Sequence, residues 1–208
     1  MLTNSVKLDL EIQAQKNKGV LVVVSGPSAG VGKDAVVNKL KEKYGFSKIT
    51  TYTTRTKREG EFEGTDYHFI SFADFEKKKK QDFFLEWEKY LDNFYGTPKN
   101  EVLNIVAFGK DVLLRIDVRG AKSVKKVIPQ AVLIYIAAPS FDTLKLRLEK
   151  RKDQSESIEK KLQIAIWEVE QFDGFDYLVV NEQDKLDDTV ELVHNIIEAE
   201  RRKVKKFS

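Results

Sequence analysis

The chain has 208 residues, of which 41% are hydrophobic and 33% charged, as is typical of one sizeable globular core with room for inserted subdomains. It contains no cysteine, which excludes disulfides, thiolate metal ligands and cysteine nucleophiles, and which fits a reducing cytoplasm. The 36 basic and 33 acidic residues leave a net charge of only +3, so phosphate binding must come from local clusters of charge.

Residues 1–18 are expected to form a polar leader, because they contain neither the apolar stretch nor the cleavage site of a signal peptide. No later stretch approaches the roughly 20 apolar residues of a membrane span. We therefore expect a cytoplasmic protein without a membrane partner.

The segment LVVVSGPSAGVGKDAVV, residues 21–37, predicts a buried strand, a glycine-rich loop and the start of a helix. Such a loop turns backbone N–H groups towards an anion, and Lys33 adds a positive charge for nucleotide phosphates. The match to GxxxxGK[ST] is imperfect, since five residues separate Gly26 from Gly32 and Asp34 replaces the usual Ser or Thr. The alternative is an ordinary turn with a surface lysine.

Apolar β-rich runs then alternate with helical patterns, which predicts a parallel sheet with helices on its faces. Strands are predicted at 20–24, 112–118, 132–137 and 177–180. Helices are predicted at 33–44, 101–108, 141–150, 158–172 and 187–205.

Two segments depart from this alternation. Residues 51–98 gather aromatic, hydroxyl, arginine and glycine residues without regular periodicity, which predicts a small inserted domain for a second ligand. Residues 151–159 are polar apart from Ile158 and predict a lid. The basic runs 77–80 and 201–206 lack interleaved aromatic residues, so we interpret them as a solvated helix face and a tail and expect no nucleic-acid partner.

Within the insert, Arg55 and Arg58 lie three residues apart and are followed by Glu61 and Tyr67. Two guanidinium groups and a phenol are suited to bind a phosphate monoester through charge-assisted hydrogen bonds.

Farther along, Glu86 stands between Leu85 and Trp87, an unusual setting for a surface carboxylate. A carboxylate accepts two parallel hydrogen bonds from a planar edge such as the N1–H and 2-amino group of guanine, whereas adenine presents a bare ring nitrogen there. The alternative for Glu86 is a salt-bridged strand residue.

Seven motifs stand in this chain in the order in which guanylate kinases have them. They are GPSAGVGK (26–33), TTRTKREGEFEGTDYHF (53–69), FLEW (84–87), FYGTP (94–98), IDVRG (116–120), RLEKR (147–151) and VVN (179–181). From about residue 19 to the end, the chain thus resembles the guanylate kinase family, the ATP:GMP phosphotransferases among the P-loop nucleoside monophosphate kinases.

The resemblance implies an α/β fold. Its P-loop three-layer parallel sheet core would comprise residues 19–50, 99–140 and 173–208, with an inserted GMP-binding domain at 51–98 and a helical lid region at 141–172. The implied substrates are ATP and GMP, with Mg²⁺ as cofactor. The implied assembly is a monomer or a homodimer.

The resemblance also assigns roles to matching positions. The ATP-binding set is Gly26, Pro27, Ser28, Ala29, Gly30, Val31, Gly32, Lys33, Asp34, Arg147, Arg151 and Asn181, with Asn181 near adenine. The GMP phosphate would be held by Arg55, Arg58, Tyr67 and Tyr95, with Glu61 in the same pocket. The guanine would be read by Glu86, Thr51, Thr97 and Asp117. The implied catalytic residues are Lys33, Arg55, Arg147 and Arg151, and Asp34 would hold Mg²⁺ directly or through water.

Four positions depart from the family pattern and bear on catalytic rate more than on fold. Ala29 lengthens the phosphate loop, Asp34 replaces a hydroxyl residue, Arg115 stands where an acid is more common, and Lys161 replaces a third lid arginine.

Two other functions share this framework. One is a catalytically silent guanylate-kinase-like domain that binds peptides. The other is a ribose 1,5-bisphosphate kinase, whose loop also follows lysine with aspartate. The guanylate kinase interpretation is favoured by Lys33, the lid arginines and the complete set of expected GMP-binding residues.

Overall fold

The structure is a computed structural model that describes residues 19–27, 30–90, 92–150 and 158–203, with side chains from residue 162 in the last range. In chain order its elements are β1 (Leu21–Ser25), α1 (Lys33–Tyr44), β2 (Ser47–Lys48), β3 (Tyr52–Thr53), β4 (His68–Phe69), α2 (Phe72–Lys80), β5 (Phe84–Tyr90), β6 (Asn93–Pro98), α3 (Lys99–Ala107), β7 (Val112–Arg115), α4 (Val118–Val127), β8 (Val132–Ala137), α5 (Phe141–Glu149), α6 (Ile158–Val169), β9 (Tyr177–Val180) and α7 (Leu186–Arg202).

The main sheet has five parallel strands in the order β2-β7-β1-β8-β9. The central strand β1 is completely buried, because helices cover both faces of the sheet, and its residues are accordingly apolar up to Ser25. Val22 and Val24 pack against α1 and α7, whereas Leu21 and Val23 pack against α3 and α4. This arrangement confirms the predicted α/β fold with a parallel sheet.

A second sheet lies within residues 52–98 and has the order β4-β3-β6-β5. Strands β3 and β4 pair in parallel, and the other two pairs are antiparallel. On this sheet Phe75 of α2 stacks between Phe84 and Phe94, with ring centroids 4.5 and 5.2 Å apart. The sequence pattern did not predict these elements, because β3 and β4 have two residues each and Phe75 is the one buried residue of α2.

The predicted strand at 112–118 is wrong beyond Arg115. There the chain leaves the sheet, and Asp117 caps α4 by accepting a hydrogen bond from the Gly120 amide at 2.7 Å. Helix α4 itself was not predicted, since the apolar pattern of β7 continues through Ile116 and Val118. Its first turn also contains a glycine, which disfavours helix.

Other predicted boundaries differ from the observed ones by a few residues. Helix α3 begins at Lys99, α6 ends at Val169 and α7 ends at Arg202. The predicted leader at 1–18 and most of the predicted lid, 151–157, lie outside the described residues.

The carboxyl end of β7 lies beside the insert, since Arg115 donates to the Tyr67 hydroxyl, and the first turn of α4 lies against β5. Ligands of open α/β sheets bind at such carboxyl ends. Among the helices that the structure describes, none has the length and apolar character to cross a membrane.

Candidate active site

The phosphate-binding loop joins β1 to α1. Gly26, Gly30 and Gly32 all have positive φ angles of 134°, 82° and 81°. Added Cβ atoms would lie 2.2 Å from the Ile136 carbonyl oxygen at Gly26 and 2.5 Å from the Asn181 side chain at Gly32. Only glycine therefore fits these two positions. Ser28 and Ala29, the latter the predicted extra residue, lie outside the described residues.

Lys33 is the first residue of α1, and its ammonium group turns back into the loop. Its Nζ donates to the carbonyl oxygens of Gly26 at 2.6 Å and Pro27 at 2.7 Å. Burial lowers the pKa of Lys33 to about 8, which the negative charge of Glu168 opposes and the positive charge of Arg115 reinforces. An anion bound in the loop would favour the charged form of the lysine.

The site prediction did not include Glu168, a buried residue of α6. Its main-chain carbonyl accepts a hydrogen bond from the Tyr135 hydroxyl at 2.9 Å. Glu168 follows Ala165 by three residues and so lies on the same helix face, which is buried. That spacing was the available indication that Glu168 faces the core.

Asn181 holds the phosphate loop against the end of β9. Its Nδ2 donates to the Val31 carbonyl oxygen at 2.9 Å, and its Oδ1 accepts from the Thr189 hydroxyl at 3.0 Å. Arg147 of α5 donates to the Asn181 carbonyl oxygen at 3.2 Å and to that of Gly30 at 3.4 Å. The structure thus brings Arg147 and Asn181 to the loop, whereas Arg151 lies outside the described residues.

The predicted monoester residues lie together beside the second sheet. Arg55 Nη2 contacts Glu61 Oε1 at 2.6 Å, and Glu61 Oε2 accepts from the Arg58 amide at 2.8 Å. The hydrogen bond from Arg55 lowers the pKa of Glu61. The Arg55 guanidinium lies 5.4 Å from the Tyr67 ring centroid, and the Tyr67 and Tyr95 centroids are 5.9 Å apart. Glu61 therefore orients the arginine, a role that its place in the motif did not reveal.

Glu86 is buried, with 6% of its surface exposed. Its Oε1 accepts a hydrogen bond from the Thr97 hydroxyl at 2.5 Å. A Cβ on Gly120 would lie 2.7 Å from Oε2 and 3.4 Å from Asp117 Oδ1, so these groups form one compact cluster.

Burial raises the pKa of Glu86 to about 8, against the hydrogen bond from Thr97. The negative charges of Asp117 and Glu88 raise it further. The pocket thus holds a carboxyl group that is largely protonated at neutral pH, and hydrogen-bond donors that reach it favour its ionised form.

Two further residues bear on this pocket. Gly120 was missed, because the helix that contains it was not predicted and its close approach to Glu86 comes from tertiary packing. Thr51 lies just before β3, where its carbonyl accepts from the His68 amide at 2.8 Å. Within the described ranges no hydrogen bond joins Thr51 to Glu86.

Arg115, the last residue of β7, stands between the two groups of residues. Its Nε lies 2.9 Å from Asp34 Oδ1, and its Nη2 donates to the Tyr67 hydroxyl at 2.9 Å. Asp34 and Arg115, which both depart from the family pattern, thus form one ion pair. Their opposite charges were the one indication in the sequence that they could pair.

Asp34 is the candidate ligand for Mg²⁺, and its carboxylate is half exposed beside the phosphate loop. Across the described ranges, no group of three or more histidine and acidic side chains could hold a metal ion. Mg²⁺ in nucleotide sites needs only one or two carboxylates, with substrate phosphates and water as the other ligands. Asp34 fits that requirement.

A parallel sheet that ends in a glycine-rich loop with a buried lysine defines a P-loop nucleotide-binding protein. The arginines and the buried carboxylate of the insert have the chemistry to bind another phosphorylated ligand.

Comparison with known proteins identifies the family. The guanylate kinase family model matches residues 18–200, and the chain belongs to this family. It is 42% identical over 195 residues to a guanylate kinase of Carboxydothermus hydrogenoformans, covering 92% of this chain and 94% of that one. It is 45% identical over 179 residues to a guanylate kinase of Gloeobacter violaceus, covering 85% and 86%. A crystal structure of guanylate kinase from Anaplasma phagocytophilum superposes with a TM-score of 0.76 at 30% identity, covering 91% of this chain and 89% of that one.

Proposed function

We propose that this protein transfers the γ-phosphoryl group of ATP to GMP, which yields ADP and GDP. The observation that carries the proposal is the buried Glu86 carboxyl group, which Thr97 holds by a hydrogen bond. It lies near Asp117, whose charge acts on both Glu86 and Lys33 of the phosphate loop. The activity named for the relatives is the one that this geometry suits.

On the acceptor side, Glu86 accepts hydrogen bonds from the N1–H and 2-amino group of guanine. Thr51, Thr97 and Asp117 contact the other polar atoms of the base. The GMP phosphate is bound by Arg55, Arg58, Tyr67 and Tyr95. The ion pair with Glu61 holds Arg55 in one orientation before the substrate arrives, which lowers the entropic cost of binding.

On the donor side, the loop amides of residues 26–34 and Lys33 bind the ATP phosphates. Arg147 and Arg151 neutralise charge on the transferred group, and Asn181 lies near the adenine. When bound, Mg²⁺ held by Asp34, directly or through water, supplies positive charge to the β- and γ-phosphates.

The reaction needs no general base, because the acceptor is already an anionic phosphate oxygen. The residues of this chain align two mutually repelling phosphates and stabilise charge on the group in transfer. Exclusion of water by a closing lid prevents transfer to water.

An ADP-release assay with GMP, AMP or no acceptor tests the proposal. We expect turnover with GMP that exceeds turnover with AMP by at least roughly a hundredfold, because adenine leaves the Glu86 carboxylate facing a lone pair. Glu86→Gln should weaken GMP use selectively, since an amide accepts only one of the two hydrogen bonds. Glu76→Gln, on the exposed helix α2, is the control. Equal ADP release with and without GMP would refute the proposal.

No observation favours the silent binding domain or the ribose 1,5-bisphosphate kinase, and binding of GMP without turnover would support the former. We further propose that the protein works in the cytoplasm as a monomer or a homodimer. The absence of cysteine from the sequence supports that location.

A further inference from the structure

Arg115 connects the two halves of the site. It ends β7 at the carboxyl edge of the main sheet. Its Nε pairs with Asp34, the residue after the phosphate-loop lysine. Its Nη2 donates to the hydroxyl of Tyr67, which packs against Arg55 and Tyr95.

The guanidinium group has donors to spare. It carries five N–H bonds, and within the described residues the ones on Nε and Nη2 serve Asp34 and Tyr67. A planar guanidinium group with two of its N–H bonds fixed is preorganised, so binding of a further ligand costs little conformational entropy. The cation lies close enough to Lys33 to lower the pKa of that lysine.

The next step rests on the function proposed above. Under that function Tyr67 lies at the GMP phosphate, and its position determines which ligand the guanidinium group of Arg115 can reach. If the Tyr67 hydroxyl binds the GMP phosphate, a donor atom 2.9 Å from that hydroxyl oxygen lies within reach of the same phosphate. Arg115 and Lys33 are two neighbouring positive groups. Together they would also offset the repulsion between the acceptor phosphate and the donor nucleotide.

We propose that Arg115 is an additional GMP phosphate-binding residue, with Asp34 as the positioning residue that aims its guanidinium group. Arg115 thereby adds an arginine to the acceptor site from the core of the molecule, whereas Arg55 and Arg58 come from the insert.

Calorimetric titration of the Arg115→Gln variant with GMP and with guanosine, without ATP or Mg²⁺, tests this assignment. We expect GMP affinity to fall by roughly tenfold or more, the loss typical of a charge-assisted hydrogen bond, and guanosine affinity to stay unchanged. Equal losses for both ligands would mean that the substitution disturbs the pocket as a whole, and would overturn the proposal.

A double-mutant cycle separates direct contact from an effect through Tyr67. If Arg115 only orients the Tyr67 hydroxyl, Arg115→Gln should have no effect in a Tyr67→Phe background, and that result would overturn the proposal. We expect a further loss of at least severalfold in GMP affinity.

Arg115→Lys retains a point charge without the fork, and it should bind GMP with intermediate affinity, even if the glutamine variant does not fold. Arg202→Gln, an exposed arginine of α7, is the matched control and should bind both ligands as the wild type does. Failure of the wild-type chain to bind GMP would refute the proposed function itself, a result distinct from an unchanged affinity in the Arg115 variants.

Discussion

At the residue scale, the chemistry of recognition depends on the environment of Glu86. The sequence indicated an unusual carboxylate, because Glu86 stands between two hydrophobic residues, and this prediction needed only the local pattern. It did not indicate the Thr97 hydrogen bond or the contact with Gly120, because both partners come from other elements and their approach depends on tertiary packing.

The raised pKa of Glu86, about 8, predicts that GMP binding depends on pH. Below that value the buried acid holds a proton that must leave before the carboxylate can accept two hydrogen bonds from guanine. Affinity should therefore rise with pH and level off above pH 8. The expected gain between pH 7 and pH 8 is roughly fivefold, measured by calorimetry in two buffers of different ionisation enthalpy.

The same titration with Glu86→Gln gives the control, because that variant has no proton to lose and its weaker binding should not change with pH. The other acidic groups near Glu86 are Asp117 and Glu88, and Arg119 lies 3.7 Å from Asp117. A pH dependence that persisted in Glu86→Gln would assign the titration to another group, such as Lys33, whose pKa is lowered to about 8.

At the scale of elements, helix α4 shapes the proposed guanine pocket. Its cap Asp117 and its Gly120 both contact the Glu86 cluster, so the first turn of the helix forms one wall. The apolar pattern of residues 112–118 predicted the beginning of this helix as a continuation of β7. Three buried apolar residues in a row, Val112 to Leu114, favour a strand. The end of the strand at Arg115 is set by the helix cap and by the sheet edge.

We expect Gly120→Ala to lower GMP affinity by more than tenfold while leaving the fold intact. Its Cβ would lie 2.7 Å from Glu86 Oε2 and force the carboxylate out of place, although alanine favours helix by about 1 kcal/mol over glycine. Calorimetry with GMP, together with thermal unfolding of the free protein, measures both effects.

Ser123→Ala in the same helix is the matched control and should bind GMP as the wild type does. Normal GMP affinity in Gly120→Ala would show that the wall of the pocket has room to move, contrary to the packing described here.

At the scale of the whole molecule, the sequence predicted the parallel sheet, the phosphate loop and the insert. Each of these depends on a pattern that is continuous along the chain. The small mixed sheet was not predicted, because β3 and β4 have two residues each and β5 and β6 lack a clean alternation of buried and exposed residues. The Asp34–Arg115 ion pair and the Glu168 carboxylate near Lys33 were not predicted either, since they join elements that are distant in sequence.

The proposed GMP pocket has walls from the insert, through Glu86 of β5, and from the core, through Asp117 at the cap of α4. We therefore expect GMP to stabilise the entire described fold as one unit. At 100 times its dissociation constant, GMP should add about 2.7 kcal/mol to the free energy of unfolding, measured by denaturant titration. AMP at the same concentration should add much less. Two separate unfolding transitions, of which GMP shifts only one, would contradict this view.

The most direct test of the account is a crystal structure of the protein with GMP bound. We predict both Glu86 carboxylate oxygens at about 3 Å from the N1 and 2-amino nitrogens of the guanine, and the phosphate against the arginines beside Tyr67. A guanine ring bound away from Glu86, with that carboxyl group still bonded only to Thr97, would contradict it.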